Sequence, residues 1–408
     1  MNPGFSGFET KSYPQLDDEP ELVTWLLDTR TLWPGDNIWT AKGAAYAMGL
    51  ISLEEQNAIA SKMFIADARM SLGSALLKRL FISKALGISW TEVRLARKGN
   101  EKHGKPCAVD NYGRPISGID FNVSHQNGLV SLIGWDGCDD VMVGTDIVCV
   151  NERETARQTI DEEGFDGWVD IYDAVFSLEE RWSMKYDVDA VTLLDGTRLS
   201  AHEIGRNDRC IQPNQELTCT KKTGEEITFS SELLIDAKLR RFYTYFTLKE
   251  AYIKLAGEGL LAPWLKQLEF FNVRSPRPGT VARCSTHGTW GEEVDDAEVK
   301  LHGRHVNDVK MKVQAFEEDF MISCAIQGNI QGLKIPAFQK LHLDKDVLNI
   351  ARDTLERKDS FMSPAEAIEQ DLNKGNDKSP NKDTSDIDYF RSVADVESLL
   401  SPWESRYW

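Results

Sequence analysis

Nowhere does the chain hold 18 consecutive apolar residues, about the length a membrane-crossing helix requires. Nor does it open on a basic stretch followed by an apolar one, so Met1-Asn-Pro-Gly-Phe-Ser gives no reason to expect a secretory leader. The seven cysteines (Cys107, Cys138, Cys149, Cys210, Cys219, Cys284 and Cys324) are odd in number and form no C-x-x-C pair. Reduced thiols in a cytoplasmic protein are therefore expected, not a disulfide framework. The sequon Asn122-Val123-Ser124 is discounted on the same ground. Positive charge is short too. With 47 Lys and Arg against 65 Asp and Glu, the formal net charge is −18, which disfavours bulk nucleic-acid binding. Several catalytic signatures are missing: G-x-x-x-x-G-K-[ST], G-x-G-x-x-G after a strand, G-x-S-x-G and H-E-x-x-H. His302 and His305 have H-x-x-H spacing but no third ligand nearby, and read as a chance loop pair.

What is present is an ordinary globular composition, 41% hydrophobic and 27% charged over 408 residues. That length holds two domains or one large duplicated domain. The first 50 residues, with Trp25, Trp33 and Trp39 between polar turns, predict short strands and loops. Ser52-Leu-Glu-Glu55 has capping-box spacing and opens a helical region through Phe64, Leu72, Leu76 and Leu80 to Gly87. Residues 90–96 read as a strand. Residues 119–123 alternate, Asn127-Gly128 marks a hairpin turn, and residues 129–135 and 141–150 follow: a three-stranded meander. The acidic stretch 151–170 is expected as a linker. Residues 176–186 predict a short helix capped by Ser177, with Glu180 at the box position. Residues 187–235, rich in turn formers, read as an insertion. Strands are expected at 268–273, 309–317 and 320–326, so helix then small meander occurs twice. After about residue 345 core-sized residues become scarce. Residues 345–408 are expected to be a disordered tail with one helix near 392–400.

The candidate chemistry centres on residues 246–257. Leu248, Ala251, Tyr252 and Leu255 fall at i, i+3, i+4 and i+7, one apolar helical stripe, and Gly257 suits the stop. Glu250 and Lys254, four apart, share another face and taken alone would be a surface ion pair. Asp146 shares its strand face with Met142, Val148 and Val150; a lone acid there marks a strand end or a function. Carboxylates from two elements, Asp146 and Glu250, can hold one Mg²⁺ that keeps phosphate oxygens and water in its other positions. Ser124, His125 and Gln126 sit at a tight turn, where polar side chains and backbone N–H groups reach anions. Arg94, Arg97, Lys98, Lys102 and Lys105 crowd one segment, with Lys62, Arg69, Lys78 and Arg79 before it. That cluster is either a solvated basic face or a pocket for a small polyanion. Together these residues describe a metal-assisted phosphoryl-transfer site. Taken singly, His125 is an ordinary turn histidine and Arg69 a solvated helix residue.

Val143-Gly144-Thr145-Asp146-Ile147, followed by Phe246-Thr247-Leu248-Lys249-Glu250-Ala251-Tyr252-Ile253-Lys254, resembles the two-part signature of 4′-phosphopantetheinyl transferases. That signature is a G-x-D strand and then a [FW]-x-x-K-E-[SA]-x-x-K helix. Phe121-Asn122-Val123-Ser124-His125 resembles the family's F-N-[IV]-S-H block, Gly104-Lys105-Pro106 its G-K-P segment, and Phe176-Ser177 through Glu180 its intervening motif. These motifs span most of residues 60–330 in the family's order, in a layout similar to the monomeric, broad-specificity class.

The resemblance implies an α+β fold of two similar α/β halves related by pseudo-twofold symmetry, with coenzyme A in the cleft between them. The halves would be 1–150 and 171–335, joined by 151–170. The implied reaction moves phosphopantetheine from coenzyme A to a serine of an apo acyl or peptidyl carrier protein. Asp146 and Glu250 would ligate Mg²⁺, with Gln126 assisting, and Glu250 would accept the serine proton. Lys254 would neutralise phosphate charge. Lys249, about 100° around the helix from Glu250, would have a supporting catalytic role. Ser124 and His125 would contact phosphates, while Arg69, Arg97 and Lys105 would hold the remaining phosphates and the adenosine end. Expected partners are carriers of fatty-acid, polyketide and nonribosomal-peptide synthases and aminoadipate reductase, with no nucleic acid and no membrane. Two departures stand out. Val148 occupies a position where many bacterial members carry a further acid, and residues 187–235 lengthen the spacing between Asp146 and Glu250. An inactive relative that binds coenzyme A or a carrier is the alternative.

Overall fold

The computed structural model describes residues 20–98, 104–137, 140–151, 154–258, 262–280 and 288–361. Strand β1 (Glu21–Asp28) comes first, then helices α1 (Ala44–Gly49) and α2 (Leu53–Ala60). Ser52 and Glu55 form the expected reciprocal cap of α2. Helix α3 (Ile65–Leu86) ends at Gly87, whose φ of 62° suits a left-handed cap. The helical region is therefore two helices, because Phe64 is extended. A 3-10 turn at Trp90–Glu92 and short strand β2 (Leu95–Arg97) replace the single strand expected over 90–96. Strand β3 (Pro106–Ala108) pairs with β2. Strands β4 (Ile119–Gln126) and β5 (Leu129–Asp136) form the expected hairpin. Its turn residues, Asn127 and Gly128, have φ of 45° and 81°, as a type I′ turn demands.

Strand β6 (Met142–Cys149) follows, then helix α4 (Glu154–Asp170), interrupted at Gly164 where φ is 76°. The segment expected as a linker thus carries a helix, and its Ile160, Phe165, Trp168 and Val169 are buried. Its acidic composition concealed that stripe. Helix α5 (Leu178–Tyr186) carries the expected Ser177–Glu180 capping box. Within 187–235 lie strands β7 (Ala190–Thr192) and β8 (Arg198–Ser200), helix α6 (Ala201–Ile204), and strands β9 (Glu216–Thr220) and β10 (Glu226–Ser230). These share a small core that includes Val191, Leu199, Ile204 and Phe229. Helix α7 (Ser231–Ala256) begins inside that range and runs 26 residues, more than twice the stretch the motif marked. Strands β11 (Leu268–Phe271), β12 (Trp290–Val294), β13 (Glu298–Leu301), β14 (Arg304–His305), β15 (Val309–Phe316), β16 (Phe320–Gln327) and β17 (Gln339–Leu341) come next, then helix α8 (Asn349–Phe361).

Among the described residues, two four-stranded sheets carry this α+β fold, ordered β17-β1-β5-β4 and β12-β15-β16-β6. Helix α3 packs on the first and α7 on the second. The expected meander is corrected here: β6 does not join β4 and β5 but pairs along its length with β16. Strand alternation sends Trp25 and Leu27 into the core with α3, and Leu26 into a core with Val143, Ile147 and Ile322 between the sheets. Strand β17 runs parallel to β1, and Val347, Leu348 and Ala351 bury against the first sheet's core. The range expected to be a disordered tail therefore begins as packed structure. Residues 362–408, the helix expected near 392–400, and Lys102, Cys138 and Cys284 lie outside the described residues.

The sheets meet where edge strand β4 faces edge strand β6. Every second side chain of β4 bonds to β6. The Val143 N–H donates to Asp120 Oδ2 (2.9 Å), the Thr145 N–H to Asn122 Oδ1 (3.0 Å), and the Cys149 N–H to Gln126 Oε1 (3.2 Å). Buried away from water, those donors would be unsatisfied without partners; here the neighbouring sheet supplies side-chain acceptors.

Candidate active site

Gly144 lets α7 lie against β6. A Cβ there would sit 2.1 Å from the Ala251 carbonyl oxygen and 2.5 Å from the Leu255 nitrogen. Only a residue without a side chain admits that approach. Two residues on, Asp146 points to the same face and is 0% exposed. Its Oδ1 accepts from Ser124 Oγ at 2.9 Å and from Lys254 Nζ at 2.7 Å. Lys254 Nζ also donates to Ser124 Oγ at 2.9 Å. Strand β4, strand β6 and helix α7 thus each contribute one corner of a triangle. Lys254 and Asp146 form a buried ion pair.

Glu250 is buried one helical turn before Lys254 and on the same face. Ser323, the β16 partner of Asp146, donates to the Thr247 carbonyl at 2.7 Å. Asp146 therefore stands between the levels of Thr247 and Lys254 along α7, which is the level of Glu250. The apolar stripe Leu248, Ala251, Tyr252 and Leu255 is buried as expected.

Asp146 also supplies the test for a metal. Its Oδ2 is buried with no hydrogen-bond partner. A desolvated, unsatisfied carboxylate oxygen fits a hard cation. Among the described residues, no group of three or more His, Cys, Asp or Glu side chains is placed to hold a metal. The donor set fits Mg²⁺ bound by one or two carboxylates and completed by substrate phosphates and water.

The remaining expected residues divide. Lys105 is buried in the same seam. Its amine pairs with Asp120 and donates to the Val143 carbonyl at 2.7 Å, and burial pulls its pKa down. A Cβ on Gly257, which caps α7, would lie 3.5 Å from its Cβ, so Lys105 borders the Lys254 end of the helix. Gln126 has its amide oxygen committed to Cys149, leaving its buried Nε2 without a partner. The structure thus offers an N–H donor there in place of the expected metal-ligating oxygen. His125 shares the β4 face of Phe121 and Val123, which packs toward α3, opposite to that of Ser124. Arg97 is exposed and donates to the Gly104 carbonyl at 2.9 Å. Arg69 donates to the carbonyls of Trp33 (3.2 Å) and Gly35 (3.3 Å). None of these three joins the triangle.

Lys249 does not join it either. Its amine is buried against Glu180 at 2.9 Å. Burial pulls the Lys249 pKa down and pushes that of Glu180 up, and their mutual attraction opposes both shifts. Sequence reading missed Glu180 in this role because its capping-box position already explained it. Asp120, partner of Lys105, carried no signal. A cleft of about 780 Å³ lies elsewhere, lined by Asn151, Arg198, Asp236, Arg240, Arg277 and Asp319. It is at the far end of β6, and Arg240 precedes Glu250 by ten residues, roughly 15 Å along α7. The unsatisfied Asp146 oxygen, not cavity size, marks the chemistry.

Two family descriptions match the chain. That of the 4′-phosphopantetheinyl transferase N-terminal region covers residues 38–136, and that of the 4′-phosphopantetheinyl transferase superfamily covers residues 208–309. The first spans Ser124 and the second spans Glu250 and Lys254, while Asp146 falls between. The chain is similar to a 4′-phosphopantetheinyl transferase of Aureobasidium melanogenum, 61% identical over 81% of this chain and 97% of that one. It is 32% identical to 4′-phosphopantetheinyl transferase NpgA of Emericella nidulans, over 76% of this chain and 83% of the relative. An L-aminoadipate-semialdehyde dehydrogenase-phosphopantetheinyl transferase of Schizosaccharomyces pombe is 33% identical over 30% of this chain and 46% of its own.

Proposed function

The chain belongs to the 4′-phosphopantetheinyl transferase family, and from that premise we propose that it modifies carrier proteins by an Mg²⁺-dependent transfer at the Asp146–Ser124–Lys254 triangle, with Glu250 as base. The observation that carries this reading is the buried, unpartnered Oδ2 of Asp146 beside the amine of Lys254. Bound Mg²⁺ would draw charge from the pyrophosphate of coenzyme A, with Asp146 and Glu250 as its protein ligands. Glu250 takes the proton from the carrier serine. The serine oxygen forms a bond to the phosphorus bearing pantetheine, and the phosphorus–oxygen bond to the second phosphate breaks. The electron pair leaves with adenosine 3′,5′-bisphosphate. Lys254 and Ser124 meet the phosphate oxygens, and Lys254 offsets the charge that builds on the leaving group. Lys105 borders the same end of α7, with its amine paired to Asp120.

Coenzyme A would lie where the two sheets meet, between halves that each pair a long helix with a four-stranded sheet. That repeated arrangement supports a pseudo-twofold relation, and the layout supports a monomer. Cys107, Cys210, Cys219 and Cys324 are free thiols, which supports a cytoplasmic setting. No helix among the described residues is long and apolar enough to cross a membrane. The printed name of the Schizosaccharomyces relative makes a carrier-bearing aminoadipate reductase one partner to try, beside synthase carriers.

The test is direct. The protein is incubated with Mg²⁺, coenzyme A and several apo carriers, and intact masses are taken. A gain of one phosphopantetheine per carrier is expected. No gain on any carrier would sink the enzymatic reading.

A further inference from the structure

Lys249 adjoins the site in sequence, yet its amine is saturated elsewhere. Nζ donates to Glu180 Oε2 at 2.9 Å and to the carbonyls of Val175 (2.9 Å), Leu268 (2.7 Å) and Leu265 (3.3 Å). An ammonium has three donors, so nothing remains for a phosphate. Glu180 in turn accepts from the N–H of Ser177 at 2.9 Å and from that of Phe270 at 3.1 Å. One buried pair therefore ties together the start of α5, the stretch around β11, and α7.

On another face, α7 is pressed against β6 at Gly144, where the Ala251 carbonyl makes the contact. Glu250 lies between the two restraints, preceded by Lys249 and followed by Ala251. A helix held on two faces cannot turn about its axis. Misplacing a reacting group by about 1 Å costs up to roughly a hundredfold in rate. Stability alone is a weak reason for this pair, since apolar residues of similar volume often serve as well as a buried ion pair. Directional bonds beside the base serve placement.

We infer that Glu180 and Lys249 are positioning residues that set the rotation of α7, and through it the placement of Glu250 against Asp146. The inference rests on the proposed role of Glu250.

Lys249→Met, Glu180→Leu and the double variant test it in the full chain. Each single variant strands a buried charge and is expected to melt well below wild type. The double variant buries no charge and is expected to recover most of that loss, so the two effects are not additive. With the double variant folded, kcat is expected to fall about tenfold or more. KM for coenzyme A should stay within about twofold and the pH–rate profile should keep its shape. Glu180→Gln, which keeps an acceptor for Lys249, should give an intermediate kcat at the same KM. A tenfold rise in KM, or loss of one limb of the pH profile, would overturn the inference by showing that Lys249 touches substrate. Wild-type kcat in a stable double variant would overturn it too, leaving the pair only a structural part. Additive melting shifts would mean that the two residues do not act as a unit. Failure of the wild type to modify any carrier would count against the function, not the clamp, because the melting coupling is read without activity.

Discussion

The amine of Lys254 lies 2.7 Å from Oδ1 of Asp146, although 108 residues separate them in the chain. Helix α7 meets strand β6 there because Gly144 leaves room for its backbone. The lysine donates to the carboxylate and to Ser124. Substrate phosphate and metal would compete for the same two groups, so cation and carboxylate are held ready in a dry seam. Dry surroundings make both partners count for more than they would at a surface.

Glu250→Gln keeps the shape of the side chain and removes its basicity. Turnover is expected to fall by about 10²–10⁴, the usual worth of a general base. The melting temperature should stay close to that of wild type. Initial rates of carrier modification and a thermal melt check both. Near-full turnover would remove Glu250 from the role of base.

Lys254→Ala strips Asp146 of its cation while the carboxylate stays fully buried. Breaking a buried pair in this way costs about 3–5 kcal/mol. Turnover is expected to fall, and the protein to melt lower. Mg²⁺ can replace the missing charge, so it should raise the melting temperature of the variant by more than that of wild type. Melts with and without Mg²⁺ decide this. Equal Mg²⁺ effects on both proteins would argue that the cation does not sit at Asp146.

Asp146→Asn bears on the same metal from the other side. Half-maximal rate is expected to need at least about tenfold more Mg²⁺, since one anionic ligand is lost. Rates measured across a Mg²⁺ titration give the answer. A titration curve that matches wild type would count against Asp146 as a ligand.

Much of the site was legible because its residues carry local patterns. The stripe from Leu248 to Leu255 fixed which way Glu250 and Lys254 face, and Asn127-Gly128 fixed the β4–β5 hairpin. What was not legible is long-range pairing. Nothing in residues 142–149 announces a partner at 320–327, and the local pattern points instead to the nearer meander. The partner of Lys249 is hidden for the same reason: Glu180 lies 69 residues away. The chain neighbours of Gln126 carry no sign of Cys149, which lies across the seam and decides which end of its amide is spoken for.

Gly144→Ala tests the close packing itself. The added methyl would meet backbone atoms of α7 at 2.1 and 2.5 Å, and backbone cannot swing aside as a long side chain can. The helix must shift as a body. Overpacking of this kind costs about 1–3 kcal/mol. Because Glu250 and Lys254 ride on the helix, turnover should fall even at temperatures where the variant is fully folded. Rates well below the melting temperature separate the two effects. Wild-type rates there would show that the site does not depend on this contact.

Lys238 gives a pH prediction whose sign can be worked out. The residue is 0% exposed, its amine donates to the Cys210 carbonyl at 3.0 Å, and it stands over the rings of Phe165 (5.5 Å) and Tyr186 (5.9 Å). Burial pulls its pKa from 10.5 down to about 8, against the pull of Asp166 and Asp208. Between those two values the unfolded chain holds a proton that the folded chain lacks. The contribution of this residue to stability therefore rises with pH from about 8 to 10.5, and its cost is fully present below about 8. Lys238→Met removes that cost and keeps most of the volume. At pH 7 the variant is expected to be more stable by about 1–3 kcal/mol, the lost hydrogen bond offsetting part of the gain. The advantage over wild type should shrink as pH rises through that window. Comparing the two proteins by urea unfolding at each pH cancels the other groups that titrate there. An advantage that stays constant or grows with pH would show that Lys238 is not the group carrying the cost.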